Sequence, residues 1–90
     1  MKTVHVIVEG RVQGVNFRHH THKQAHRLHL SGWVRNKEDG TVEAIFSGAN
    51  DEVNSMLEWL RHGSPGSRVD NIHSLETTPE EDFTSFEVRY

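Results

Sequence analysis

Three features of the sequence predict an α+β fold in which two helices cover one face of a largely antiparallel sheet. Apolar and polar residues alternate near both chain ends and again in the middle. Two longer stretches between them carry the wider apolar spacing of helices. Gly, Pro, Asn and Asp punctuate the joins. The first strand is read at Thr3 to Glu9, where Val4, Val6 and Val8 alternate with His5, Ile7 and Glu9. A helix follows from about Phe17 to Leu30, with Phe17, Thr21, Ala25 and Leu28 on one face. Gly32 closes this helix or opens the next strand, which runs through Trp33 to Asn36. Lys37-Glu38-Asp39-Gly40 is a turn with Asp-Gly as its strongest signal, and Val42, Ala44 and Phe46 mark the returning strand of a hairpin.

Asn50 is placed as the N-cap of the second helix, with Asp51 and Glu52 in its first turn. Val53, Met56, Leu57 and Leu60 form its core stripe, and Arg61, His62, Gly63 and Pro65 its stop. A strand from Val69 to Leu75 alternates poorly. Thr78-Pro79-Glu80-Glu81-Asp82 reads as an exposed turn, and Phe86, Val88 and Tyr90 mark a last strand. The order is βαββαβ with an extra terminal strand, the split-βαβ or ferredoxin-like arrangement. Right-handed crossovers then place both helices on the same side.

Ninety residues fit one domain, 1–90, with a modest core. At 33% hydrophobic and 26% charged, with the charges mixed, the composition is that of a globular chain and not a disordered one. A net charge of −3 without a basic run disfavours nucleic acid as a partner. No stretch is apolar for the length of a membrane span and no leader precedes the first strand, so the expected address is the cytoplasm and the expected state a monomer. The chain has no cysteine, which excludes disulfides, thiolate catalysis and Cys-type zinc sites. No G-x-S-x-G, Cys–His pair or complete P-loop is present. The aromatic motif of RNA-binding sheets of this topology is missing too, and Trp33 and Trp59 read as packing residues.

Between the first strand and first helix lies Gly10-Arg11-Val12-Gln13-Gly14-Val15-Asn16-Phe17-Arg18. Gly10 and Gly14 let the backbone take positive φ and come close to a ligand. A loop that tightens into a helix N-terminus aims several N–H groups one way, and with the helix dipole these suit an anion. Arg18, in the first turn, adds a planar guanidinium that takes two anion oxygens at once. Phosphate or carboxylate is the expected guest. The same residues also fit an ordinary βα connection with a surface arginine. Asn36 is equally open: spacing does not bring it to the loop, and asparagine before a turn also serves local turn chemistry.

Eight histidines are conspicuous in so short a chain. His19, His22, His26 and His29 share one flank of the first helix, and His22 and His26 are four apart. That spacing suits two metal ligands, but no HExxH pattern or carboxylate completes a cluster, so the flank reads as a solvated stripe and no metal is assigned.

GRVQGVNFR, followed by GWVRN-KEDG-TVE over Gly32 to Glu43, resembles the acylphosphatase family. The similarity continues through NSMLEWL, GSPGSRVD and FEVRY and so covers essentially the whole chain. The resemblance implies hydrolysis of a small acyl phosphate to carboxylate and inorganic phosphate, without metal or cofactor. It also implies roles. Arg18 matches the family's catalytic arginine, which holds the phosphate, and Asn36 its catalytic asparagine, which orients the attacking water. The backbone of Val12, Gln13, Gly14, Val15 and Asn16 matches its phosphate cradle. Asn16 stands where vertebrate members carry cysteine, which argues against thiol-based regulation and leaves the anion site intact. The histidines of the first helix are not part of the family pattern. Two rivals remain. A non-catalytic anion-binding module needs the loop and Arg18 but no water-orienting amide. A carbamoyl-phosphate domain of a larger maturation protein is disfavoured by a short chain ending on its own strand.

Overall fold

Seven elements follow the expected order in the computed structural model, which describes residues 1–78 and 83–90. They are β1 (Lys2–Arg11), α1 (Phe17–Arg27), β2 (Ser31–Asn36), β3 (Val42–Gly48), α2 (Asn50–His62), β4 (Arg68–Glu76) and β5 (Phe86–Arg89). Pro79 to Asp82, within the expected exposed turn, lie outside the described residues.

The strands form one sheet in the order β4-β1-β3-β2-β5, antiparallel except where β5 runs parallel to β2. Alternation decides the core. Val4, Val6 and Val8 of β1, Val34 of β2, and Val42, Ala44 and Phe46 of β3 are all buried. The buried faces of the helices, Phe17, Thr21 and Ala25 on α1 and Val53, Met56 and Leu60 on α2, belong to the same core. Phe46 and Phe86 stack with centroids 5.4 Å apart, which docks β5 onto that core. β2 and β3 pair with Arg35 opposite Glu43 and Asn36 opposite Val42. Arg35 Nε donates to Glu43 Oε1 at 2.6 Å, and Glu43 Oε2 lies 2.6 Å from His5 Nε2 on β1. Burial alone would raise the Glu43 pKa, but the hydrogen bonds from His5 and Arg35 outweigh it and hold the carboxyl below its ordinary value. This cross-strand link pins the hairpin one residue before Asn36.

Three details depart from the sequence reading. First, α1 ends at Arg27, not Leu30, while of the two places read for Gly32 the structure takes the second, at the start of the next strand. The chain turns at His29, in the left-handed conformation (φ 56°), where the His29 N–H reaches His26 O and the Leu30 N–H reaches Ala25 O. That is a Schellman motif closed by histidine in the place usually taken by glycine. Second, the N-cap of α2 is Ala49, and Asn50 is its first helical residue. Third, Gly10 approaches a strand and not a ligand. A Cβ there would lie 2.1 Å from Arg68 O, where a bulge between Glu9 and Gly10 shifts the β1–β4 register. β4 is an edge strand with no fully buried residue, only Val69 and Ile72 packing against the core, which explains its poor alternation.

Candidate active site

The loop joining β1 to α1 is shaped by two residues with positive φ, Gly14 (73°) and Asn16 (59°). Asn16 is the N-cap of α1 in the left-handed conformation, which asparagine tolerates better than most residues. Its carbonyl accepts the first helical hydrogen bond, from His20 N at 3.0 Å, while its side chain caps nothing. Among the described residues no hydrogen bond uses the N–H groups of Gln13, Gly14, Val15 or Asn16. The first turn of α1 contains no acidic residue. The helix end therefore keeps its partial positive charge for a guest.

A cavity of about 300 Å³ opens at this loop. Val12, Gln13, Gly14 and Asn16 line it from the loop, Arg18 and His19 from the first turn of α1, and Asn36 from the end of β2. Val15, placed in the cradle by the resemblance, is the one loop residue that packs partly against the core instead. The sheet order explains how Asn36 arrives. β3 separates β1 from β2, so the loop after β1 and the turn after β2 meet only because both strands end at the same side of the sheet. None of the described lining residues is acidic.

Arg18 is half-buried and held from behind. Its Nη1 donates to Arg89 O at 3.0 Å, and its guanidinium carbon lies 4.6 Å from the centroid of the exposed Tyr90 ring. Asn36 is half-buried, and its Oδ1 is buried without a hydrogen-bond partner among the described residues. An unsatisfied buried acceptor of this kind costs about 1–3 kcal/mol.

Sequence reasoning missed four contributors. Tyr90 and the Arg89 carbonyl brace Arg18, but the alternation of β5 marks them only as strand residues. The Gln13 side chain reaches across to the β2–β3 turn, donating from Nε2 to Lys37 O and Thr41 O, each at 2.8 Å. His19 faces the cavity although its spacing groups it with a solvated stripe. Elsewhere on that flank His26 and His29 are exposed as expected of a solvated stripe, whereas His22 is half-buried and packs beside Phe86 with centroids 6.1 Å apart. Among the described residues no group of three or more His, Cys, Asp or Glu is placed to hold a metal ion. Trp59 packs against Phe17, and Trp33 lies under Arg35 and Arg89 on the open face of the sheet.

Known proteins resemble this chain in sequence and in fold. A protein of Bordetella parapertussis named Acylphosphatase is 49% identical over 86 residues, covering 96% of this chain and 92% of the relative. One of Syntrophus aciditrophicus, with the same name, is 47% identical over 90 residues, covering 100% and 94%. The crystal structure of acylphosphatase from Bacillus subtilis superposes with a TM-score of 0.95 at 38% identity, both chains covered in full. The family model described as Acylphosphatase matches residues 4–88. With that match over nearly its whole length, and with the β1–α1 loop, Arg18 and Asn36 gathered at one cavity on this fold, the chain belongs to the acylphosphatase family.

Proposed function

We propose that this protein hydrolyses acyl phosphates to carboxylate and inorganic phosphate, with Arg18 and the loop backbone binding the phosphate and Asn36 orienting water. The observation that carries the reading is the position of Asn36. A module that only binds an anion needs the loop and Arg18, yet here an asparagine amide with an unpartnered acceptor lines the same cavity.

The chemistry fits such sparse equipment. Phosphoryl transfer passes through a loose transition state with charge spread over the equatorial oxygens, so positioning and electrostatics dominate. Arg18 supplies two donors to those oxygens, and its brace on Arg89 and Tyr90 keeps the guanidinium oriented before substrate arrives. The N–H groups of Gln13 to Asn16 supply the rest of the cradle, and the positive φ of Gly14 and Asn16 turns them inward. Asn36 Oδ1 accepts a proton of the attacking water and holds its oxygen in line with the bond to be broken. The water oxygen bonds to phosphorus, the bond from phosphorus to the acyl oxygen breaks, and the carboxylate leaves with the electron pair. Its conjugate acid has a pKa of about 4, so no general acid is required. The water's proton passes to a phosphate oxygen of the substrate. No step calls on a metal or cofactor. The chain works as one unit, a monomer in the cytoplasm that reads phosphate and leaves the acyl group largely unread.

The test is hydrolysis of benzoyl phosphate with EDTA present, by wild type, Asn36→Ala and Arg18→Ala. Wild type turns over. Arg18→Ala loses phosphate affinity and at least about 1,000-fold in kcat/KM, and Asn36→Ala loses about 100-fold or more in kcat while phosphate still inhibits. Near-wild-type kcat in Asn36→Ala would remove its assigned role. A wild type that binds phosphate without hydrolysing would leave an anion-binding module.

A further inference from the structure

We propose that the Gln13 side chain is a positioning residue: it clamps the phosphate loop to the β2–β3 turn and thereby sets Asn36 against the phosphate. The inference rests on the roles given above to Arg18 and Asn36 and adds the part that holds them in register.

The two halves of the site come from strands that do not touch, because β3 lies between β1 and β2. In-line attack is sensitive to their separation, since a misplacement of about 1 Å can cost about 100-fold in rate. Gln13 bridges the gap. Its Nε2 donates to Lys37 O and to Thr41 O, each at 2.8 Å. Those carbonyls are the two ends of the turn. Lys37 directly follows Asn36, its N–H donates to Thr41 O at 2.9 Å, and its carbonyl also accepts from Gly40 N at 3.2 Å. An amide nitrogen has two protons, and both are used on the turn, so this nitrogen has no proton left for substrate. Among the described residues, no other side-chain hydrogen bond joins the loop to the turn. Gln13 therefore serves the cradle with its backbone and the water-orienting side of the site with its side chain. The chemistry is selective for an amide. Glutamate has the same reach but, ionised, would set acceptor oxygens against two carbonyls, and methionine keeps the length without a donor.

The experiment compares Gln13→Met and Gln13→Glu with wild type, each with Asn36 intact and in the Asn36→Ala background. kcat on benzoyl phosphate, inhibition by inorganic phosphate and thermal unfolding are measured together. With Asn36 intact, Gln13→Met lowers kcat about 10- to 100-fold, while phosphate inhibition stays within about threefold and the protein remains folded. Gln13→Glu loses at least as much. In the Asn36→Ala background the same substitutions change kcat less than about twofold, because the group they position is already gone. The proposal is overturned by an unchanged kcat in Gln13→Met, or by an equal loss in both backgrounds. A parallel loss of phosphate affinity also overturns it, assigning Gln13 to the shape of the loop alone. Failure of the wild type itself to hydrolyse the substrate is separate and bears on the function. In that case amide exchange at Lys37 and Gly40 still tests the clamp, which predicts faster exchange in Gln13→Met and is overturned by no change.

Discussion

The two helices pack on the same sheet and both finish on basic residues, His26 and Arg27 in α1 and Arg61 and His62 in α2, yet their first turns are built on opposite rules. α2 starts with Asp51 and Glu52, finishes with Arg61 and His62, and stops at Gly63, so its dipole is answered at both ends by its own side chains. Neither N-cap side chain makes a hydrogen bond, but α1 has no acid in its first turn to answer its dipole. The two non-glycine residues with positive φ, among those described, are Asn16 and His29, one at each end of α1. Its buried face also holds Thr21, whose hydroxyl has no partner among the described residues. α2 is satisfied locally and serves the core. The first turn of α1 is left without an acid, and Gln13, Gly14 and Asn16, just before it, line the cavity that contains Arg18. The contrast teaches where local rules yield to a site: an acid there would steady the helix and repel an anion entering the cavity, the guest proposed above.

That comparison can be broken most sharply at His19, in the first turn of α1 beside Arg18. His19→Glu places a carboxylate where α2 already has two. It is expected to raise the inhibition constant for phosphate about 5- to 10-fold while stabilising the helix by about 0.3–1 kcal/mol, opposite signs in one variant. Phosphate inhibition and a denaturation curve on the same preparation check both. Unchanged inhibition would mean that the helix end does not face the guest.

The C-terminal end of α1 carries strain without lying at the cavity, so relief there should be free of functional cost. His29→Gly removes the left-handed strain and is expected to raise stability by about 0.5–1 kcal/mol, or roughly 4 °C in Tm, after the greater freedom of glycine in the unfolded chain is counted. The exposed pair of His29 with Glu52, at 3.3 Å, subtracts little. A drop in Tm would show that His29 is held there by contacts worth more than its strain. The smallest effect belongs to α2. Asp51→Asn is expected to cost about 0.3–1 kcal/mol of stability and leave kcat and KM unchanged. Any change in kinetics would link α2 to the site by a route the geometry does not contain.

Much of this molecule was legible before the structure. β1 shows itself in Val4, Val6 and Val8, the hairpin in Asp39-Gly40, and α2 in its charges and its stripe. Each is a local pattern whose cause lies within a few residues. The misreadings were of two kinds, one overridden from a distance and one a local cap hidden by apolar spacing. Gly10 looks like a ligand-facing glycine, but its missing Cβ makes room for Arg68 O of β4. α1 appears to run to Leu30 because its apolar spacing continues, while His29 has already turned the chain.

By itself the sequence determined the elements, their order, and a loop with Arg18 at the start of a helix, because alternation, caps and turn residues act between near neighbours. Its resemblance to a known family pointed to Asn36 as well. Only the tertiary structure decided that Asn36 shares a cavity with that loop, that Gln13 ties the two together, and that Arg89 and Tyr90 brace the guanidinium. These contacts join residues 24 to 72 positions apart, and no pattern along the chain encodes them. They exist because burying the apolar faces of β1, β3 and β2 fixes one sheet order, and that order brings the loop, the turn and the last strand to the same end.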